Sequence, residues 1–141
     1  MAFHKILLQG VEFIGRYVFG CFKLPKSTDE EKAARSAAIQ EATRFAALVP
    51  MQVARNACEL MEIIADVARL GNQNAITDAC VAMMAARSAV LGALLNVRIN
   101  LGSLKDKTFV DELKREADHL EQLACMREKE LLEVVNQELN Q

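Results

Sequence analysis

The chain has 141 residues, enough for one domain of ordinary size, and 52% of them are apolar, enough to bury a core. Its formal net charge is -2, with acids and bases interspersed. That balance, with no run of basic residues, argues against nucleic acid as a main partner, and the apolar content argues against a disordered chain. Four cysteines, Cys21, Cys58, Cys80 and Cys125, stand too far apart for a paired metal or redox motif. They are expected to be free, buried thiols of a cytoplasmic protein.

Sustained period-two alternation is absent, so the fold class expected is all-α: one domain over 1–141, an antiparallel bundle of about five helices. The first is expected over residues 3–22, from the spacing of Phe3, Leu7, Val11, Ile14, Val18 and Phe22. Gly10, Gly15 and Gly20 weaken it by roughly 1 kcal/mol each relative to alanine. Its N-terminal apolar stretch is broken by Lys5, Glu12 and Arg16, unlike a signal peptide.

Leu24-Pro25-Lys26 breaks the chain, and Ser27 with Glu30 forms a capping box for the second helix. That helix runs to about Leu48, where Val49-Pro50 predicts a break or kink. The third helix presents Val53, Ala57, Leu60, Ile64 and Val67 on one face and stops at Gly71. Thr77 or Asp78 caps the fourth, which continues to about Leu101. Its segment from Ala79 to Val97 is near membrane-span length, but Arg87, Ser88 and Asn96 favour a buried central helix. The fifth runs over about 107–140, roughly 50 Å, longer than the bundle needs; its end is expected to pack on another subunit.

The fourth helix carries a polar row at spacing four: Ser88, Gly92, Asn96 and Asn100. Burying a carboxamide without partners costs about 1–3 kcal/mol, so the row needs a ligand, another helix, or backbone carbonyls to bond. Asp78 precedes Asn96 by five turns, on the same face and roughly 27 Å away. His119, beside Asp118 and Glu121, reads as solvent-facing. Metal-binding, phosphate-binding, dinucleotide-binding and nucleophile-elbow motifs are absent from the sequence.

Six pieces occur in order: Leu24-Pro25-Lys26, Val49-Pro50, Gly71-Asn72-x-Asn74, Thr77-Asp78, Asn96-Val97-x-Ile99-Asn100-Leu101 and Asp106-x-x-Phe109. Over residues 11 to 115 the chain thereby resembles the formiminotransferase-cyclodeaminase C-terminal domain and the stand-alone methenyltetrahydrofolate cyclohydrolases. The resemblance implies an all-helical homodimer acting on a tetrahydrofolate derivative, with no prosthetic group, metal or nucleotide; the charge balance and the polar residues of the fourth helix argue against nucleic acid and membrane as partners. Asp78, Asn96 and Asn100 then become the expected catalytic residues. Lys26, Asn72, Asn74, Ser88 and Arg98 become the expected substrate-binding ones. The family's glycine-rich N-terminal segment has no counterpart in the 23 residues before Leu24, and Gly10 stands near a usual acidic position. The implied partners therefore include a separate formiminotransferase or a separate N-terminal half. The alternative expectation is a non-catalytic helical oligomerisation homologue.

Overall fold

A computed structural model describes residues 15–139. It contains four α-helices: α1 over residues 15–22, α2 over Asp29–Leu70, α3 over Ile76–Leu101 and α4 over Lys107–Leu139. A short 3-10 turn, Gln73–Ala75, precedes α3, and no strand occurs among the described residues. The part of the expected first helix that covers residues 3–14 lies outside them.

Four helices replace the expected five because the second and third are one. Helix α2 is 42 residues long and runs through Pro50. Proline has no N–H to offer the carbonyl four residues earlier, so Ala46 loses its helical partner. A side chain of α3 replaces it: Asn100 Nδ2 donates to the Ala46 carbonyl at 3.3 Å. The cap of α2 also lies one residue later than expected. Thr28 Oγ1 accepts from the Glu31 amide at 3.2 Å, and Glu31 Oε2 accepts from the Thr28 amide at 3.2 Å. Glu31 also accepts from the Ser27 amide at 2.7 Å, so one carboxylate satisfies two backbone donors.

Gly71 ends α2 as expected, its amide donating to the Val67 carbonyl at 2.8 Å. A Cβ on Gly71 would sit 2.4 Å from that same oxygen, so the close approach itself requires glycine. Helix α3 then returns antiparallel along α2. Its N-cap is Ala75, which has no side-chain cap bond; Thr77 and Asp78 already lie inside the helix. At the other end Gln40 of α2 holds the turn into α4. Its amide donates to the Ser103 carbonyl at 3.0 Å and its oxygen accepts from the Lys105 amide at 2.8 Å. Asp106 caps α4 by accepting from the Phe109 amide at 3.1 Å.

Helix α4 runs parallel to α2, and charge sets its register. Arg44 pairs with Asp106 at 3.2 Å, Arg55 with Glu116 at 2.6 Å, and Glu62 with Arg127 at 2.7 Å. The three pairs repeat at nearly constant offset along both helices. The core between the helices is built from Met51, Met61, Met83, Leu94 and Leu101 with alanines at the closest approaches. The face expected for the second half of α2 needs correction. Ala57 and Ile64 are buried, but Val53, Leu60 and Val67 point outward, and Met51, Ala54, Cys58 and Met61 fill the interior instead. The inner face alternates long, flexible methionines with alanines, which fill the space between α2 and α3.

The Arg55–Glu116 pair carries a pH dependence. The bidentate hydrogen bonds from Arg55, at 2.6 and 2.8 Å, lower the Glu116 carboxyl below its ordinary value of 4.5. A depressed carboxyl contributes stability that is present above the unfolded value and is lost as pH falls through the folded one. Glu116→Gln is therefore expected to lose less stability than the wild type between about pH 6 and pH 3. Urea unfolding at the two pH values measures this, and equal losses would remove the pair from the account.

Cys21, Cys58 and Cys80 are free and buried, and Cys125 is free but exposed, against the expectation of four buried thiols. Burial raises the thiol pKa of Cys58 and of Cys80, which holds both in the unreactive protonated form.

Candidate active site

Helix α3 packs against both α2 and α4, as expected of a central helix, yet it buries only its inward side. Its outward side carries Val81, Ala85, Ser88, Gly92, Leu95 and Ile99, all exposed, with Ile99 77% and Leu95 66% accessible. Asn96 and Asp78 border this row and are exposed as well. The outer side of α2 carries a comparable apolar row, Val53, Leu60, Ile63 and Val67. The ion pairs to α4 leave from the other side of both helices. The candidate polar residues thus lie on a broad apolar surface rather than in an enclosed cleft.

Asp78 occupies the first turn of α3, where the helix dipole favours a carboxylate. Asn72 and Asn74 lie just before it. The Asn72 side-chain oxygen accepts from the Asn74 amide at 3.0 Å, and the Asn72 carbonyl accepts from the Ala75 amide at 2.9 Å. These bonds fold the link so that Asp78 emerges at the start of the outer face. Asn96 Nδ2 donates to the Gly92 carbonyl at 3.0 Å, one turn back on its own helix. Asn100 donates to the Asn96 carbonyl at 2.8 Å as well as to Ala46. Ser88 is exposed mid-helix between the two ends.

The structure therefore brings Asn72, Asn74 and Asp78 to one end of α3, and Asn96 and Asn100 to the other, with Ser88 between. Arg98 stands apart from both. It hydrogen-bonds Asp118 at 2.9 Å and also Glu121, which fastens α3 to α4. Those two carboxylates hold the Arg98 pKa above its ordinary value, with the Glu121 bond the larger cause. Arg87 likewise pairs with Glu128 at 2.8 Å. Lys26 is exposed in the link between α1 and α2.

Sequence reasoning did not anticipate a concavity away from this surface. It is a groove of about 580 Å³ between the end of α2, the start of α3 and the distal half of α4. Its floor includes Ala65, Ala68, Ile76, Leu131 and Val134. Its rim charges bond one another: Arg127 with Glu62 and Glu130, Arg69 with Asp66. Only the long reach of α4, already visible as periodicity, could have signalled it. Among the described residues no cluster of metal-ligating side chains occurs.

Fold and surface define a class: a helical bundle whose central helix displays an aspartate and two carboxamides along one otherwise apolar side. The family model for formiminotransferase-cyclodeaminase matches residues 16–119. The methenyltetrahydrofolate cyclohydrolase of Methylorubrum extorquens is 40% identical over 123 residues, covering 87% of this chain and 59% of that protein. The rat formimidoyltransferase-cyclodeaminase is 36% identical over 105 residues, covering 74% of this chain and 19% of that one. Among solved structures, formiminotetrahydrofolate cyclodeaminase from Thermotoga maritima superposes with a TM-score of 0.70 at 27% identity, covering 86% of this chain and 58% of that chain. The chain belongs to the formiminotransferase-cyclodeaminase family. It spans about three-fifths of the length of the cyclohydrolase relative and less of the bifunctional ones.

Proposed function

We propose that the chain acts in folate one-carbon metabolism, as a cyclodeaminase or cyclohydrolase on a tetrahydrofolate derivative, in a cytoplasmic homodimer. The observation that carries this is the placement of Asp78 and Asn96 on the same exposed face of α3, in a chain belonging to this family. In the cyclodeaminase reaction, 5-formiminotetrahydrofolate closes to the 5,10-methenyl form and releases ammonia. In the cyclohydrolase reaction, water adds to the methenyl carbon and gives 10-formyltetrahydrofolate. Both pass through a tetrahedral carbon flanked by nitrogens, so both need a group that moves a proton and groups that hold the substrate still.

Asp78 is the residue proposed to move that proton. Asn96 is proposed to orient the substrate through its carboxamide, with Ser88, Asn72 and Asn74 as neighbouring polar contacts. Asn100 is held to the Ala46 carbonyl, so its proposed contribution to catalysis is to fix Asn96 one turn away. Lys26 is proposed to meet the anionic glutamate tail. Arg98 is proposed for the same tail only by exchanging its bonds to Asp118 and Glu121. A separate formiminotransferase or N-terminal half is a further proposed partner.

Titrating a polyglutamylated 5-formyltetrahydrofolate into the pure protein by calorimetry tests the reading. A Kd on the order of 1 μM is expected, equivalent to about 8 kcal/mol. Absence of heat would favour the second reading, a non-catalytic oligomerisation homologue, which the uncovered apolar rows of α2 and α3 support.

A further inference from the structure

Helix α4 is held in two different ways along its length. Its first half buries Phe109, Val110, Leu113, Ala117, Leu120 and Ala124 in the core. Among residues 125–137 Val135 alone is buried, at 3% exposure. The rest of this half stands over the groove of about 580 Å³. Two tertiary ion pairs fasten it, Arg127 with Glu62 and Glu128 with Arg87. The side chains of the first pair are a third to a half exposed, so water screens it and it holds only weakly.

Val135 has an identifiable seat. Helices α3 and α4 are antiparallel, and Arg87 meets Glu128 at 2.8 Å. Two turns back from Arg87 on α3 is Cys80, and two turns on from Glu128 on α4 is Val135. Seven residues return each helix to almost the same face, so the two side chains fall level across the interface. Cys80 is buried as well, at 6% exposure. It lies just inside the least secured part of the fold. The link over residues 71–75 joins α2 to α3, and the N-cap of α3, Ala75, makes no side-chain cap bond. Distal α4 crosses this joint. Arg69 on one side of it and Ile76 on the other line the groove together with Leu131 and Val134.

We infer that the distal half of α4 is a brace across the α2–α3 joint that opens without unfolding the bundle, and that Val135, seated beside Cys80, is a positioning residue for Asp78. With the brace closed, α3 leaves the joint at one fixed angle to α2. With it open, α3 remains a helix, but its start, and Asp78 with it, is no longer pinned to the end of α2. A segment with few buried apolar contacts opens at far lower cost than the whole fold. The inference deepens the folate reading and rests on it only for what Asp78 does.

Two buried thiols test it without turnover. Cys58 Sγ faces the Leu120 carbonyl at 3.8 Å, under the first half of α4, so it reports on the core, whereas Cys80 reports on the brace. In the full chain carrying Cys125→Ser, labelling by N-ethylmaleimide is followed for each cysteine by peptide mass, with amide exchange in parallel. Cys80 is expected to label much faster than Cys58, with little dependence on dilute urea. Val135→Ala is expected to speed Cys80 by roughly 10-fold or more, and Arg127→Gln by up to roughly 5-fold. Leu113→Val, in the core, is expected to speed Cys58 alone. Amides of residues 72–75 are expected to lose protection together with Cys80, while those of 90–101 keep theirs. On the folate substrate Val135→Ala is expected to lower kcat several-fold with KM little changed, and Val135→Ile to keep kcat near wild type. Thiols that respond alike to urea and to Leu113→Val would mean one global opening and overturn the brace. Unchanged joint amides, or unchanged kcat, in a Val135→Ala protein with a reactive Cys80 would overturn the positioning role. Thiols and joint amides that respond as expected in a protein without folate turnover would uphold the brace and remove the folate reading alone.

Discussion

Asp78→Asn is expected to reduce turnover of the folate substrate by roughly 10²- to 10⁴-fold, the usual contribution of a positioned acid or base. The substitution keeps size and hydrogen bonding but removes the group that can carry a proton. Its effect on stability is expected to be small. Asp78 is exposed in the first turn of α3, where its favourable interaction with the helix dipole is worth about 0.3–1 kcal/mol. The two quantities therefore separate. A large fall in kcat with a nearly unchanged urea midpoint assigns the residue to the reaction. Activity within a few-fold of wild type would return Asp78 to the role of an ordinary helix-start residue and withdraw the proposed base.

The second large effect is expected at Asn100, and it falls on stability. Asn100→Ala removes the donor that serves the Ala46 carbonyl, which Pro50 deprives of its helical partner. An unsatisfied buried acceptor costs about 1–3 kcal/mol. The discriminating measurement is a double-mutant cycle. Pro50→Ala restores a backbone N–H to the same carbonyl, so Asn100→Ala is expected to cost less in that background than in the wild type. Additive effects would show that the two residues act independently and that α2 tolerates Pro50 for another reason. Because Asn100 also bonds the Asn96 carbonyl, its loss is expected to lower activity as a consequence of the fold.

These cases show what can be read from sequence here. The stop at Gly71, the start of α4 after Asp106 and the stripe of α4 were legible because each depends on a few adjacent residues. The capping box of α2 was misplaced by one residue, since Ser27/Glu30 and Thr28/Glu31 satisfy the same pattern. The continuity of α2 was not legible. The group that rescues the Ala46 carbonyl comes from Asn100, 54 residues further along the chain, and no local rule reaches that far. Nor could the inner face of α2 be chosen, because Val53, Leu60 and Val67 are as regularly spaced as Met51, Cys58 and Met61. Packing against α3, which no local pattern displays, selected the second set.

The site divides in the same way. The motifs located Asp78, Asn96 and Asn100 on one helix, and their face followed from the helical repeat. Arg98 looked equally available in sequence, but its carboxylate partners lie 20 and 23 residues later on α4. The exposure of the whole α3 face could not be foreseen, because an apolar helix of this composition is indistinguishable by sequence from one buried on every side.

Helix α3 also behaves as a ruler. One of its ends is fixed by the Asn100 bond to α2, and the other by the Gly71 joint, where only a residue without a Cβ passes the Val67 carbonyl. Both attachments are to one continuous rod about 63 Å long, the 42-residue α2. No hinge lies between them, so Asp78 and Asn96 keep their separation whatever the rest of the molecule does. For the proposed reaction, alignment of the two groups is then a matter of phase. Inserting or deleting a single residue between 78 and 96 would turn one group about 100° away from the other while leaving the helix intact. The length of this helix is thus as much a part of the proposed chemistry as the identity of the residues it carries.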